Sequence, residues 1–360
     1  MRIGSISEDK TIEKRIAITP EVAKKYISFG FEVSLSKNYG YHLGIHDNIY
    51  SELGVNIAED NKKLIDNSDL LLQLNLFSGE NISFLKENQS LIGIFDPYNN
   101  KEKIESLSKK SINVFSLEML PRITRSQSMD VLSSQANLAG YKSVVDSFAI
   151  FEKAVPMMMT AAGTIPAAKV VIVGAGVAGL QAIATAKRMG AIVFATDVRL
   201  AVKEQVESLG GKFLMVEGSE SLETKEGYAK ETSDEFKMKQ EELLTETLKK
   251  IDIVICTALI PGKKAPTIIK KNMVENMKSG SIIYDLAAAQ GGNCELTESN
   301  KIVNKNGIKI IGETNILNKI PVSASNLYAR NLFSFVINLY DKENKKINIE
   351  DEIVLKTLIK

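Results

Sequence analysis

The sequence predicts an α/β protein built from two Rossmann-like domains, each a doubly wound and mainly parallel sheet, with a cleft between them. Three observations carry this expectation. At 360 residues the chain exceeds what one hydrophobic core ordinarily organises. Short apolar strands alternate with amphipathic helices along most of its length, the pattern of a parallel sheet covered on both faces. Midway, Gly174, Gly176 and Gly179 form G-x-G-x-x-G directly after the apolar strand KVVIV and at the start of a helix.

The elements follow in order. MRIGSI opens as a strand, PEVAKKYISFG as a helix, FEVSLS as a strand and NIYSELG as a helix. LLLQLN, LIGIFD and INVFSLEML read as strands, with the helix KEKIESLSKKS before the last. Apolar positions at helical spacing from Met129 to about Lys153 predict one long helix, which Asp130 can cap. A second series follows: KVVIV, the glycine turn, a helix to Met189, AIVFATD, the helix AVKEQVESLG and KFLMV. Residues from about Glu217 to Lys239 are rich in Glu, Lys, Ser, Thr and Gly and lack a strand pattern, which marks a functional or disordered loop. DIVICTAL, SIIYDLA and IKIIGET resume the sheet, and ASNLYARNLFSFVINLYDKE is expected as a final helix packing back on the first domain. The expected division is therefore residues 1–130 with about 320–360, and residues 131–319 with a mobile loop at about 217–239.

Composition excludes several classes. Hydrophobic residues make up 44% and charged residues 25%, with a formal charge of +1, so the basic surplus needed for nucleic acid is absent. Cys256 and Cys294 lie in separate segments without C-x-x-C spacing, which argues against a disulfide framework or a zinc site and fits a reducing cytoplasm. MRIGSISEDK is charged too early for a signal peptide. The one membrane-like run, VVIVGAGVAGLQAIATA, contains three glycines and a glutamine and reads as strand, turn and helix.

The glycine turn points to a dinucleotide. A tight turn brings the backbone to a pyrophosphate, and the free N–H groups and dipole of the helix that follows favour the anion. Asp197 closes the next strand eighteen residues after Gly179, where its carboxylate is expected to accept the adenosine ribose hydroxyls and to disfavour a 2′-phosphate. NAD is therefore preferred to NADP, with Arg199 as the feature that softens the preference. Taken singly, the glycines could form a turn without a ligand and Asp197 could cap a helix.

An NAD fingerprint on two α/β lobes ordinarily implies a dehydrogenase, whose reaction needs a general acid/base near the substrate carbon. The two histidines, His42 and His46, share the turn YHLGIHD near the N-terminus and read as surface or packing residues. Meanwhile PRITRSQSMD, residues 121–130, concentrates two arginines, a glutamine, an aspartate and two serines ahead of the long helix.

KRIAITPE, MLPRITRSQSMDVLSSQANLAGY, the glycine-turn segment, ATDVR, KEQVESLGGKF, EGYAKE, CTALIPGKKAP and GGNC together resemble the NAD(H)-binding component, domain I, of proton-translocating nicotinamide nucleotide transhydrogenases. The resemblance covers most of residues 1–335. It implies direct hydride transfer between NADH and NADP⁺ held on a partner subunit, with no proton exchanged in that step, so that positioning replaces acid/base catalysis. It maps Arg122, Gln127, Asp130 and Ser133 onto the nicotinamide, supported by Tyr141; the first three are the implied catalytic positions. It also implies cofactor contacts from Gly174, Gly176, Val177 and Gly179, from Asp197, Val198 and Arg199, and from Thr257, Ala258 and Leu259. Gly227 and Tyr228 would lie on a loop that closes over the cofactor. No metal is implied. The implied assembly is a homodimer, active only with membrane-embedded subunits that include an NADP(H)-binding domain, and peripheral on the cytoplasmic face of the inner membrane through those partners.

Two other readings stand beside it. Alanine dehydrogenase resembles the chain in KRIAITP and in the second domain, but that family carries a catalytic lysine and histidine where this sequence has Gln73 and Phe95. An NAD-binding regulatory subunit without turnover is the third.

Overall fold

The computed structural model describes residues 1–216, 234–260, 262–344 and 346–359. Of the expected loop at 217–239, residues 217–233, with Gly227 and Tyr228, lie outside the described residues, while 234–239 begin a helix instead of ending a loop.

The first strands and helices follow from short local signals. Strand β1 (Arg2–Ser5) leads to helix α1 (Pro20–Phe29), which starts with proline at its first position. It ends where Gly30 takes φ 101°, and Phe31 N–H returns to the Tyr26 carbonyl. Then come β2 (Glu32–Ser36), α2 (Asp47–Glu52), β3 (Asn56–Ala58) and α3 (Asn61–Asp66), whose N-cap Asp60 accepts from Lys62 N–H. β4 (Leu70–Leu72), β5 (Ser90–Gly93), α4 (Lys101–Ser108) and β6 (Asn113–Ser116) complete this run. Every residue of β4 and β5 is buried, as expected for strands covered on both faces.

Helix α5 (Val131–Ile150) is the predicted long helix. After it come an antiparallel hairpin of β7 (Met158–Thr160) and β8 (Gly163–Ile165), then β9 (Lys169–Val173), α6 (Val177–Arg188), β10 (Ile192–Thr196), α7 (Lys203–Ser208) and β11 (Lys212–Phe213). α8 (Asp234–Leu248), β12 (Ile253–Cys256), α9 (Lys271–Glu275), β13 (Ile282–Asp285), β14 (Ile302–Lys305) and β15 (Ile308–Gly312) finish the second series. The last elements are α10 (Pro321–Leu339), β16 (Tyr340–Asp341), β17 (Lys346–Ile347), α11 (Glu352–Thr357) and β18 (Leu358–Ile359).

The chain divides into two compact units: Met1–Gln135 with Leu317–Lys360, and Ala136–Ile316. In the first unit the sheet runs β18-β6-β5-β4-β1-β2-β3, parallel except for β18. One face is packed by Tyr328, Leu332, Phe335 and Val336 of α10, together with Tyr26 of α1. In the second unit the order is β11-β10-β9-β12-β13-β15-β14, parallel except for β14. Strand order reverses beside β1 in one sheet and beside β9 in the other, the places where open α/β sheets bind ligands outside the strands' carboxyl ends.

One expectation is corrected. α10 is not the final element: the charged segment after it folds into α11 and β18, and β18 pairs with β6 through Leu358 opposite Phe115 and Ile359 opposite Val114. A two-residue strand has no alternation long enough to stand out. It forms because the exposed edge of β6 supplies the partner.

Candidate functional site

In the second unit, β9 ends in Gly174 at φ 94°, a conformation that disfavours any side chain. A Cβ there would lie 2.8 Å from Thr257 Oγ1. Thr257 Oγ1 donates to the Gly174 carbonyl at 2.8 Å, tying the turn to the end of β12. Gly179 is required for a different reason: a Cβ there would collide with the same Gly174 carbonyl. Gly176 differs from both, since the nearest atom to a Cβ there is an Arg199 guanidinium nitrogen at 3.9 Å. Among the described residues no other atom lies within 4 Å of a Cβ there. Gly176 also begins α6 with no side-chain cap, so the first N–H groups of a twelve-residue helix are left for an external acceptor. These features fit a dinucleotide pyrophosphate: backbone room at Gly176, an uncapped helix end, and glycines that allow both.

Asp197 lies where it was expected, but its carboxylate is already engaged. Oδ2 accepts from Ala175 N–H at 2.7 Å and from an Arg199 terminal nitrogen at 2.8 Å, while Oδ1 accepts from Arg199 N–H and Nε, each at 2.9 Å. The acid thus holds the glycine turn and the arginine together, and Val198 is the link between them. A ribose would have to share these oxygens or displace the guanidinium.

Thr257, Ala258 and Leu259 leave β12 at the sheet's carboxyl edge. Ala258 is fixed on both sides by Asn293, whose Oδ1 accepts from Ala258 N–H at 2.9 Å and whose Nδ2 donates to the Ala258 carbonyl at 2.8 Å. Asn293 is itself fully buried, and its N–H donates to Asp285, which also takes N–H groups from Ala287 and Cys294 and the Thr297 hydroxyl. Sequence reasoning assigned no role to Asn293 or Asp285. The signal was present in GGNC, since Gly291 and Gly292 at φ 97° and 80° mark a tight loop delivering that asparagine. Gly140 was also missed: a Cβ there would strike the Ala178 carbonyl, so this glycine lets α5 approach the start of α6. Tyr141, next to it, is 42% exposed. Cys256 and Cys294 are buried thiols whose pKa is pushed up, first by burial and with a contribution from Asp285, to about 11 for Cys294, so neither is a nucleophile.

In the first unit, PRITRSQSMD folds as a 3₁₀ helix over Thr124–Met129. Ser126 and Met129 face inward, whereas Arg122 and Gln127 are exposed. Asp130 and Ser133 are brought together: Asp130 accepts from Ser133 N–H at 2.8 Å and from its hydroxyl at 2.6 Å, capping α5. KRIAITP proves structural. Arg15 donates to both Glu13 carboxylate oxygens and to Gln135, and the N–H groups of Ala17 and Ile18 reach the Tyr39 hydroxyl. His42 donates from Nε2 to the Lys14 carbonyl and His46 lies edge-on to Tyr41, as packing roles predict.

Among the described residues, the titratable groups at the carboxyl edge of this sheet are held in hydrogen bonds to the protein itself. Gln73 is buried, with Oε1 accepting from Ser5 Oγ and Ile6 N–H and Nε2 donating to the Ile6 carbonyl and Glu8. Phe95 is buried as well. Burial raises the carboxyls of Glu8 and Glu118 above the usual range, the kind of shift that can mark a general acid. Both, however, are committed to backbone. Glu8 takes the N–H groups of Leu74 and Asn75, and Glu118 takes those of Phe95 and Asp96 with the Ser116 hydroxyl.

Two models describing the alanine dehydrogenase/PNT family match the chain, its N-terminal domain over residues 4–139 and its C-terminal domain over residues 143–360. The chain belongs to the alanine dehydrogenase/PNT family. Within it, the similarity is uneven. The first polypeptide of the NAD(P) transhydrogenase alpha subunit of Rhodospirillum rubrum is 46% identical over all of this chain and 96% of its own length. A crystal structure of transhydrogenase from Sinorhizobium meliloti superposes with a TM-score of 0.90 at 43% identity, covering 99% of this chain and 98% of that one. The alanine dehydrogenase of Methanococcus maripaludis is 26% identical over 99% of this chain and 92% of its own length. Gln73 and Phe95 give that imbalance a chemical content within the family: these positions serve packing and strand-end hydrogen bonding here.

Proposed function

We propose that this chain is the NAD(H)-binding component of a transhydrogenase, transferring hydride directly between NADH and NADP⁺ held by another subunit. The observation that carries the reading is the uncapped start of α6 behind an open Gly176, next to Asp197 and Arg199. NAD(H) supplies the hydride-transfer chemistry. The residues of the chain bind and orient: the α6 amides hold the pyrophosphate, Asp197 and Arg199 the adenosine ribose, and Thr257–Leu259, steadied by Asn293, the cofactor along the strand ends. Arg122, exposed just before the 3₁₀ turn, and Gln127, exposed on it, grip the carboxamide together with the Asp130–Ser133 pair. Tyr141 supports them, and Tyr228 of the Gly227–Tyr228 segment excludes water. No metal enters the scheme.

The relatives' names, which denote portions of a multisubunit enzyme, support an assembly in which membrane-embedded subunits include an NADP(H)-binding domain and couple transfer to proton movement. Among the described residues no helix is long and apolar enough to cross a membrane. The chain then works as a homodimer, peripheral on the cytoplasmic face through those subunits. Single-turnover transfer to an NADP⁺-loaded partner domain in deuterated water tests the reading. The expected product is NADPH without solvent deuterium at C4; deuterium there overturns direct transfer. Robust NADH formation from alanine and NAD⁺ would instead favour an alanine dehydrogenase, which Gln73 and Phe95 argue against.

A further inference from the structure

The 3₁₀ turn Thr124–Met129 buries Ser126 and Met129, and the Ser126 hydroxyl donates to the Pro121 and Ile123 carbonyls, while its other side chains are exposed. Further anchors come from far along the chain, in the same compact unit. Asn331 of α10 donates from Nδ2 to the Ser128 carbonyl at 2.7 Å, and its Oδ1 accepts from Ser134 Oγ at 2.6 Å. Arg125 reaches from the turn to Asp351, with Nη1 at 2.6 Å from Oδ2. Asp351 is a fixed acceptor. Its side chain is 13% exposed against 52% for Arg125, it caps α11 through Ile353 N–H, and it receives Asn338 Nδ2 at 3.1 Å. Burial alone would raise the Asp351 carboxyl, but Arg125, Asn338 and the helix amides outweigh it and hold it below the usual range.

We propose that Asp351 is a positioning residue for hydride transfer: through Arg125 it fixes the turn that carries Gln127 and follows Arg122, so the segment after α10 sets the nicotinamide geometry. This rests on the proposed function of that turn. An ion pair with one partner half exposed contributes little to global stability. Its consequence is instead local, since the exposed arginine is tethered to a carboxylate that the helix cap and Asn338 hold in place.

The test uses the full chain, NADH and an NADP⁺-loaded transhydrogenase partner domain. Asp351→Asn keeps the cap of α11, because asparagine caps as well as aspartate, while removing the charge. It is expected to slow single-turnover transfer roughly tenfold, the scale of a sub-ångström displacement of a reacting ring. NADH Kd should stay within about twofold and the melting temperature within about 2 °C, the signature of lost positioning alone. Arg125→Met should match it, the double variant should be no slower than either single, and Arg125→Lys should recover most of the rate. Wild-type rates in Asp351→Asn, multiplying losses in the double variant, or a loss confined to NADH Kd would overturn the proposal while leaving the proposed function intact. If the wild-type chain transfers no hydride at all, the proposed function fails and this inference falls with it.

Discussion

The two sheets end their parallel strands in opposite ways. At the carboxyl edge of the first, the chain fills the space with its own groups: Glu8 takes amides beyond β4, Glu118 takes amides beyond β5, and Gln73 and Phe95 are buried between. At the carboxyl edge of the second, β9 leads into a glycine turn whose middle residue, among the described residues, has room for a Cβ and whose helix has no side-chain cap. The same strand order thus yields a scaffold in one unit and a ligand cradle in the other. What separates them is that the amides beyond β4 and β5 are taken by Glu8 and Glu118, whereas the first amides of α6, after β9, have no side-chain cap. The residues proposed to position the nicotinamide lie on the scaffold's margin, on and beside the turn Thr124–Met129, instead of at its strand ends.

Glycine substitutions break this comparison most sharply. Gly179→Ala drives a methyl into the Gly174 carbonyl and should lower unfolding free energy by about 3 kcal/mol, seen in a denaturant titration. Gly176→Ala has room for its methyl and should melt like the wild type, yet weaken NADH roughly tenfold because the backbone no longer meets the pyrophosphate closely. If both variants lose only stability, the cradle is an ordinary turn.

On the scaffold's margin, Gln127→Asn should leave NADH affinity within a few-fold and cut single-turnover transfer by roughly a hundredfold, uniformly across pH, as displacement of about 1 Å would. A rate profile that titrates with one group would point to acid/base chemistry at Asp130 instead.

Asp197→Asn should weaken NADH roughly tenfold by calorimetry and narrow the gap between NADH and NADPH, because a repelling charge is removed and Arg199 is freed. An unchanged gap would mean that Arg199, and not Asp197, sets the preference.

The smallest effect sharpens the scaffold side. Burial raises the folded-state pKa of Glu118, so folding favours its protonated form, and stability is lost as pH climbs from the ordinary 4.5 through the raised value. Glu118→Gln does not ionise. The wild type's advantage in melting temperature over this variant should therefore shrink by about 2 °C on going from acid to neutral pH. A constant difference would show that folding leaves the Glu118 pKa at its ordinary value.

Much of this was legible in the residues. KVVIV, the three glycines and Asp197 declared a strand, a turn and an acid at fixed spacing because each rests on local sterics. The amphipathic alternation gave both sheets, since burial on two faces demands continuous apolar runs such as LLL. Asp130 declared the start of α5 through the same short-range capping chemistry. What sequence could not supply were partnerships across long separations. Asn293 on Ala258, β18 completing the edge of β6, and Asp351 reaching Arg125 leave no periodicity or spacing to read. They exist because a strand end, an exposed edge or a fixed carboxylate presents unsatisfied groups that only the folded chain brings a partner to. The sequence by itself thus determined the two α/β units and the glycine cradle, and the tertiary structure alone decided which strand ends were closed and what holds the turn that carries Gln127.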